Sequence, residues 1–279
     1  MPRPPKLDHT VINVHYQMEP AENIFRNLGF HLTERGHHSL GSINHLMMFG
    51  TDYLELVGMP TETKDRGPGR PEITNAPIGI NGLVFKTNDV DETYAHLQQL
   101  GMAGDPPKSF SRPVDLPGGA RDACFRTVTV RGDVLPGGRV YFCEHGTPDL
   151  VWRTEYQRHD NGAMSMPEFV IASENHEREA EDFAKLLYSD VEGEGEQLCV
   201  KVDGAKITLL SPSAYQTRYD DPVSPLGSRS SIFGAIVIQT TNLDTIRRLA
   251  EDAGLLIIDG HDQLALREPS LDCVLEFIC

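Results

Sequence analysis

The strongest constraint on this chain is that it repeats itself. Gly82-Leu-Val-Phe-Lys-Thr-Asn-Asp-Val-Asp-Glu-Thr leads to Leu100-Gly101-Met102, and Ala235-Ile-Val-Ile-Gln-Thr-Thr-Asn-Leu-Asp-Thr-Ile leads to Ala253-Gly254-Leu255, without a gap between the two copies. In each, a β-branched run ends in a polar Asn/Asp turn, an amphipathic helix of about three turns follows, and Gly closes it. The same grammar opens the chain, with a strand at 7–14, a helix at 20–28 and Gly29 as its stop. A weaker copy runs from Glu168-Phe-Val-Ile-Ala through a charged helix at 175–187 and lacks the closing Gly.

Short candidate strands follow each helix: 43–49 and 53–57; 125–130 and 139–143; 197–202 and 205–210; 264–267 and 273–278. Each module therefore reads βαβββ, and turn signals such as Val202-Asp203-Gly204-Ala205 favour hairpins between the later strands. A repeated unit of this kind must bury its apolar faces against its neighbours. The expected class is α+β. One domain is expected over residues 1–150 (modules 7–58 and 79–146) and a second over 165–279 (modules 166–212 and 232–279), joined by a linker at 151–164. Two stretches rich in Pro and Gly, 60–77 and 104–119, read as surface loops.

Charge and cysteine usage narrow the partners. Twenty-five Lys and Arg against 41 Asp and Glu leave a net charge of −16, which repels nucleic-acid backbones and anionic lipid headgroups. The five cysteines are odd in number and lack C-x-x-C spacing, so neither a disulfide framework nor a zinc ribbon is expected. No run approaches the ~18 apolar residues of a membrane span. The expectation is a soluble, cytoplasmic protein with a small-molecule substrate, no nucleic-acid or membrane partner, and room for a homodimer if modules pair between chains.

With Leu7-Asp8-His9 opening module one and Tyr53-Leu54-Glu55-Leu56 closing it, the chain resembles the vicinal oxygen chelate superfamily, which includes glyoxalase I and extradiol dioxygenases. More narrowly, Gly36-His37-His38-Ser39-Leu40-Gly41-Ser42-Ile43-Asn44, then Glu55-Leu56, then His159-Asp160-Asn161-Gly162-Ala163 are similar to the glyoxalase-like domain family. The resemblance implies four βαβββ modules forming two half-open mixed-sheet barrels. It also implies a divalent metal (Fe, Mn, Zn, Ni or Co) held by His9, Glu55 and Glu144, with His145 replacing Glu144 if the strand register differs by one. Module two offers only Asn81 or Gly82 at its first-strand position. Module four ends in Glu276 but has Ala235 where a His is expected. Glu144 and His38 are the expected catalytic residues, and His38, Asn44 and His159 the expected substrate contacts.

One imidazole with carboxylates suits a borderline divalent ion with open positions. Such a site polarises a substrate bound through adjacent oxygens, so that a proton leaves to a nearby carboxylate in isomerase or lyase chemistry. Ring cleavage by Fe(II) and O2 is the enzymatic alternative. It calls for a second His, and His15, His38 and His45 are the available sources. A metal-free binding cup is the third reading, favoured by the ligands missing from modules two and four. Each residue also has a plainer role open to it: His9 as a packed strand His, Glu55 facing solvent, His159-Asp160-Asn161-Gly162 as a tight turn, Cys143 as a small buried apolar residue, and Trp152 and Tyr156 as linker packing.

Overall fold

The computed structural model describes residues 3–64, 69–220, 226–260 and 262–279. Module one comprises β1 (Leu7–Asn13), α1 (Met18–Asn27), β2 (Gly36–His37), β3 (Ile43–Met48) and β4 (Tyr53–Gly58). A short helix, α2 (Pro71–Thr74), precedes module two: β5 (Gly79–Lys86), α3 (Val90–Gln99), β6 (Lys108–Val114), β7 (Arg121–Thr129) and β8 (Arg139–His145). Module three comprises β9 (Ala163–Ser173), α4 (His176–Leu186), β10 (Val191–Glu194), β11 (Gln197–Val202) and β12 (Ala205–Leu210). Helix α5 (Pro212–Tyr219) then leads to module four: β13 (Ser231–Thr240), α6 (Leu243–Asp252), β14 (Leu256–Gly260), β15 (Gln263–Glu268) and β16 (Cys273–Ile278).

The modules pair into two eight-stranded mixed sheets of identical order, β2-β3-β4-β1-β5-β8-β7-β6 and β10-β11-β12-β9-β13-β16-β15-β14. Within every module the first and last strands run parallel, and the two first strands meet antiparallel at the centre of each sheet. The α+β class and the repeat of βαβββ modules are as the sequence predicts. The first sheet nearly closes into a barrel, because Ser39 N donates to Ser111 O at 2.9 Å and Ser111 N to Ser39 Oγ at 3.2 Å, joining the turn after β2 to the opposite edge at β6.

Local chemistry explains the repeating helix. Asp89 accepts from Asp91 N and Glu92 N at the start of α3, and Asn242 from Thr245 N at the start of α6, both as N-caps. Gly29, Gly101 and Gly254 end α1, α3 and α6 at φ of 78°, 69° and 69°. Where module three lacks that glycine, Tyr188 takes the left-handed position at φ 53° and stacks on His96.

The stretch 104–119, expected as a loop, contains β6. Its prolines are tolerated because β6 is an edge strand with β7 as its one ladder partner, so Pro113 leaves no central ladder bond unmade. The stretch 60–77 contains α2, and its residues 65–68 lie outside the described residues. A continuous apolar core runs between the outer faces of the two sheets and their helices, from Ile12, Leu54 and Phe85 to Phe169, Ile236 and Phe277. The concave face of each sheet carries a separate apolar cluster of its own.

Candidate functional site in the first cup

Strand alternation decides which side chains reach the concave face. On β4, Leu54 and Leu56 enter the shared core, so Tyr53, Glu55 and Val57 face the cup. On β3, Asn44 and Leu46 do the same, and on β8 the cup-facing residues are Arg139, Tyr141 and Cys143. The space they line is ≈ 700 Å³ including its open mouth.

His9 and Glu55 come together at the base of this cup. His9 Nε2 lies 3.5 Å from Glu55 Oε2, and Asn44 Nδ2 donates to Glu55 Oε1 at 2.7 Å. His9 Nδ1 lies 2.7 Å from Oδ2 of Asp8, a fully buried carboxylate that cannot be the donor, so the ring proton sits on Nδ1. Nε2 is then left as a lone pair, which takes a hydrogen bond from the Tyr141 hydroxyl at 3.2 Å. Burial alone would raise the pKa of Asp8, but hydrogen bonds from His145 (2.9 Å) and His9 outweigh it and hold the carboxyl well below its ordinary range. Burial pushes the Tyr141 phenol up, with Glu55 adding to the effect, so it stays protonated.

Asp8 is the residue that alternation misses. Next to His9 in a regular strand it would face the other way. A bulge between the pairs Leu7–Phe85 and His9–Val84 turns both inward instead.

Glu144, expected as a ligand and catalytic residue, is on the other face of β8. Val140 and Phe142 enter the shared core, so Glu144 lies on their side, and its Oε2 accepts from Val90 N at the start of α3. His145, the one-residue alternative, turns inward to Asp8. Asp8, Cys143 and His145 bring ligand atoms within 4.8 Å of one another, but the Lys86 ammonium stands 3.8 Å from Asp8 Oδ1 and already supplies positive charge there.

His38 and Asn44 line the cup; His159 does not. His159 lies buried between Phe30 and Phe49, accepts from His31 N at 3.0 Å and donates to Met48 O at 2.9 Å, so it ties the linker to module one. Asn161 does likewise, donating to Leu28 O. His45 faces Thr33 O and Glu22, and His15 binds Ala76 O, so neither supplies a second imidazole beside His9. His37 is exposed.

The parallel registers give the equivalent positions of all four modules. Glu55 lies opposite Val11, Tyr141 opposite Val84, Thr208 opposite Val170 and Glu276 opposite Val237. Two residues before those valines stand His9, Gly82, Glu168 and Ala235. The first cup therefore carries His9, Glu55, Gly82 and Tyr141, and Gly82 is confined to glycine because a Cβ there would meet Val11 at 2.7 Å. The second cup carries Glu168, Thr208, Ala235 and Glu276, and its own helix α5 fills it. Arg218 donates to Glu168 at 2.7 Å and to both oxygens of Glu276 at 3.1 Å, while the Tyr219 hydroxyl donates to Glu276 at 2.7 Å. A guanidinium thus stands between the two carboxylates.

Paired βαβββ modules around a cup with ligand-type residues on first and last strands define a protein of the vicinal oxygen chelate fold. The chain matches the glyoxalase-like domain family over residues 7–187, and it belongs to that family. Among solved structures it is similar to a hypothetical protein from Staphylococcus aureus (TM-score 0.64, 12% identity, covering 97% of this chain and 98% of that one). It is equally similar in fold to a triple mutant of 4-hydroxymandelate synthase from Streptomyces coelicolor (TM-score 0.64, 16% identity, 99% and 92% covered). A fusion of a xylose isomerase-like TIM barrel with 4-hydroxyphenylpyruvate dioxygenase matches over 50% of its own length (TM-score 0.61, 13% identity, 99% of this chain). No curated protein sequence matches the chain. Among the described residues, no helix is long and apolar enough to cross a membrane.

Proposed function

We propose that the first cup is the active site of a metal-dependent enzyme that binds a small substrate through two neighbouring oxygens and moves a proton, in glyoxalase-like isomerase or lyase chemistry. The observation that carries this reading is the pair His9 and Glu55, with the His9 Nδ1 proton fixed on buried Asp8 and the Nε2 lone pair turned toward Glu55 3.5 Å away. A buried carboxylate behind an imidazole is the support that metal-binding histidines use, and a nitrogen with a carboxylate oxygen suits Mn, Fe, Co, Ni or Zn. His9 and Glu55 would hold the ion, and Gly82 and Tyr141 leave its remaining positions to substrate and water.

When bound, the ion supplies polarisation of the two substrate oxygens as negative charge develops on them. The chain's own groups do the rest. Among the described residues Glu55 is the one carboxylate lining the cup, and its Oε2, free of the bond that Asn44 makes to Oε1, is the proton acceptor. Asn44 fixes that carboxylate's orientation, and the Tyr141 phenol donates to charge developing nearby.

Elemental analysis by mass spectrometry of untagged protein purified without chelator tests the reading beside His9→Ala, Glu55→Ala and, as a control on the far face of β8, Glu144→Ala. Near-stoichiometric metal in the wild type and in Glu144→Ala, lost from the other two, is the expected result. Iron as that metal would favour the ring-cleaving dioxygenase alternative; a dioxygenase, 4-hydroxyphenylpyruvate dioxygenase, is named in one of the fold's neighbours. No metal after reconstitution would overturn the reading in favour of a metal-free binding cup, which Gly82 and Tyr141 at two of the four ligand positions also suit.

A further inference from the structure

The wall of the first cup holds a charge that its other residues leave unanswered. Arg112 projects from β6 with 8% of its surface exposed, yet it makes no hydrogen bond or ion pair among the described residues. Its nitrogens keep a little contact with the solvent of the cup, and a guanidinium so largely withdrawn from water is costly to hold unpaired, so an anion entering the cup would complete it. Burial lowers its pKa, with Tyr53 and Glu55 opposing, but a guanidinium stays charged at neutral pH. Gly36 makes room for it, since a Cβ there would overlap Asn44 Oδ1 at 2.2 Å and sit 3.3 Å from Arg112 Cδ.

Two further features point the same way. Arg139 lines the cup over the Tyr141 ring, likewise without a hydrogen bond or ion pair among the described residues. His38 is held by Ser42, whose Oγ lies 2.8 Å from His38 Nδ1 and accepts from Arg70 Nη1 at 2.7 Å. Burial, with Arg70 and Arg112 nearby, pushes the His38 pKa down to about 4 against the opposing pull of Glu55. Among the described residues, three arginines and one carboxylate line this cup in a molecule of net charge −16, so their charge is opposite to that of the whole. Beside them, Phe110 and Phe125 stack at 5.2 Å and offer an apolar surface.

We propose that the first cup selects small organic acids, the carboxylate of the ligand pairing with the fork of Arg112 and its apolar body lying against Phe110 and Phe125. Arg139 and the His38 ring complete the anion's surroundings. The proposal rests on the reading of this cup as the active site and adds the substrate class, with the acid group held apart from the atoms that His9 and Glu55 address. Planar carboxylate and guanidinium match as two parallel hydrogen bonds, a geometry that a neutral amide does not reproduce.

The test is titration calorimetry of full-length protein, freed of metal by chelator, with benzoate, neutral benzamide and phenyl phosphate, on the wild type, Arg112→Met and Arg112→Lys. Expected are benzoate binding in the wild type, weaker binding of benzamide, and a loss of benzoate affinity of about tenfold or more in Arg112→Met, partly restored in Arg112→Lys. Because Arg112 has no partner to lose, the Met variant should melt no lower than the ligand-free wild type. A residue needed only for structure would lower that melting temperature and leave benzoate affinity unchanged, and that outcome overturns the proposal. Benzamide binding as well as benzoate overturns it too, and phenyl phosphate binding more tightly than benzoate overturns the carboxylate assignment. Metal content measured on the same variants keeps the two readings apart: benzoate binding that depends on Arg112 in a protein that never takes up metal sustains this inference while the metal reading falls.

Discussion

Asp8 receives two imidazole N–H groups on one oxygen, and that double role sets what its replacement does. Asp8→Ala removes the acceptor that the two rings share, so neither His9 nor His145 keeps its N–H held in place. If His9 loses the Nδ1 proton contact, its Nε2 lone pair is no longer fixed toward Glu55. The expected outcome is a metal affinity lower by about ten- to a hundredfold, with a smaller loss of thermal stability, read by titration against a competing chelator. Unchanged affinity would mean that Asp8 does not orient the ring. His9, Glu55 and Asn44 were legible in the sequence because each alternates with apolar neighbours that claim the core. Asp8 was not, since no local pattern announces the bulge that turns it inward. Glu144 lies three residues past the position equivalent to Glu55 and on the other face of the strand. The useful signal was the triplet Val140-Tyr141-Phe142, which matches Leu54-Glu55-Leu56 in alternation and marks Tyr141 as the counterpart of Glu55.

Helix α5 distinguishes the two sheets. The cup of β9 to β16 keeps carboxylates at two of its four equivalent positions, and Arg218 joins them from a helix that the other cup lacks. Arg218→Met should therefore leave Glu168 to Lys206 and Glu276, 1% exposed, to the Tyr219 hydroxyl, at a cost of about 3 kcal/mol, the low end for breaking a buried pair. Chemical denaturation measures it. The deficit should narrow in acid, because, against the effect of burial, Arg218 helps to hold the Glu168 carboxyl below its ordinary range and that contribution is lost as Glu168 is protonated, and a deficit independent of pH would contradict the arrangement. The contrast with Arg112→Met is the point: one guanidinium has internal partners and the other has none. At this scale the sequence was informative about strands and capped helices, whose Asn, Asp and Gly signals are local. It was silent on β6, whose prolines read as a loop although an edge strand accepts them, and on α5, whose partners are distant in sequence. The two stretches read as irregular supply Arg70, Ile73, Phe110 and Arg112 to the cup wall.

The two sheets meet through one continuous core and a small set of polar ties, and Asp52 is the tie that titrates. At the head of β4, its Oδ1 accepts from Met166 N at 3.0 Å at the start of β9, and Thr51 donates to Oδ2 at 2.9 Å. No pattern in the chain foretells this bond, because it joins residues 114 apart across the linker. Burial pushes the Asp52 carboxyl up from 3.8 to about 6, against the opposing effect of those two hydrogen bonds. The folded state thus holds this proton more tightly than the unfolded chain does, and the group's contribution to stability falls as pH rises from about 4 to about 6 and is constant above. Asp52→Asn retains an acceptor for Met166 N and a donor for Thr51 but has no charge to bury. Relative to the wild type it should gain stability across that window, by up to about 3 kcal/mol at about 1.4 kcal/mol per pH unit. Denaturant unfolding of both proteins at pH 4, 5, 6 and 7 gives the comparison. A difference that rises with pH and levels off near pH 7 places a buried, ionising carboxylate at the junction of the two sheets, whereas a flat difference would mean that Asp52 keeps an ordinary pKa there and that solvent reaches the joint.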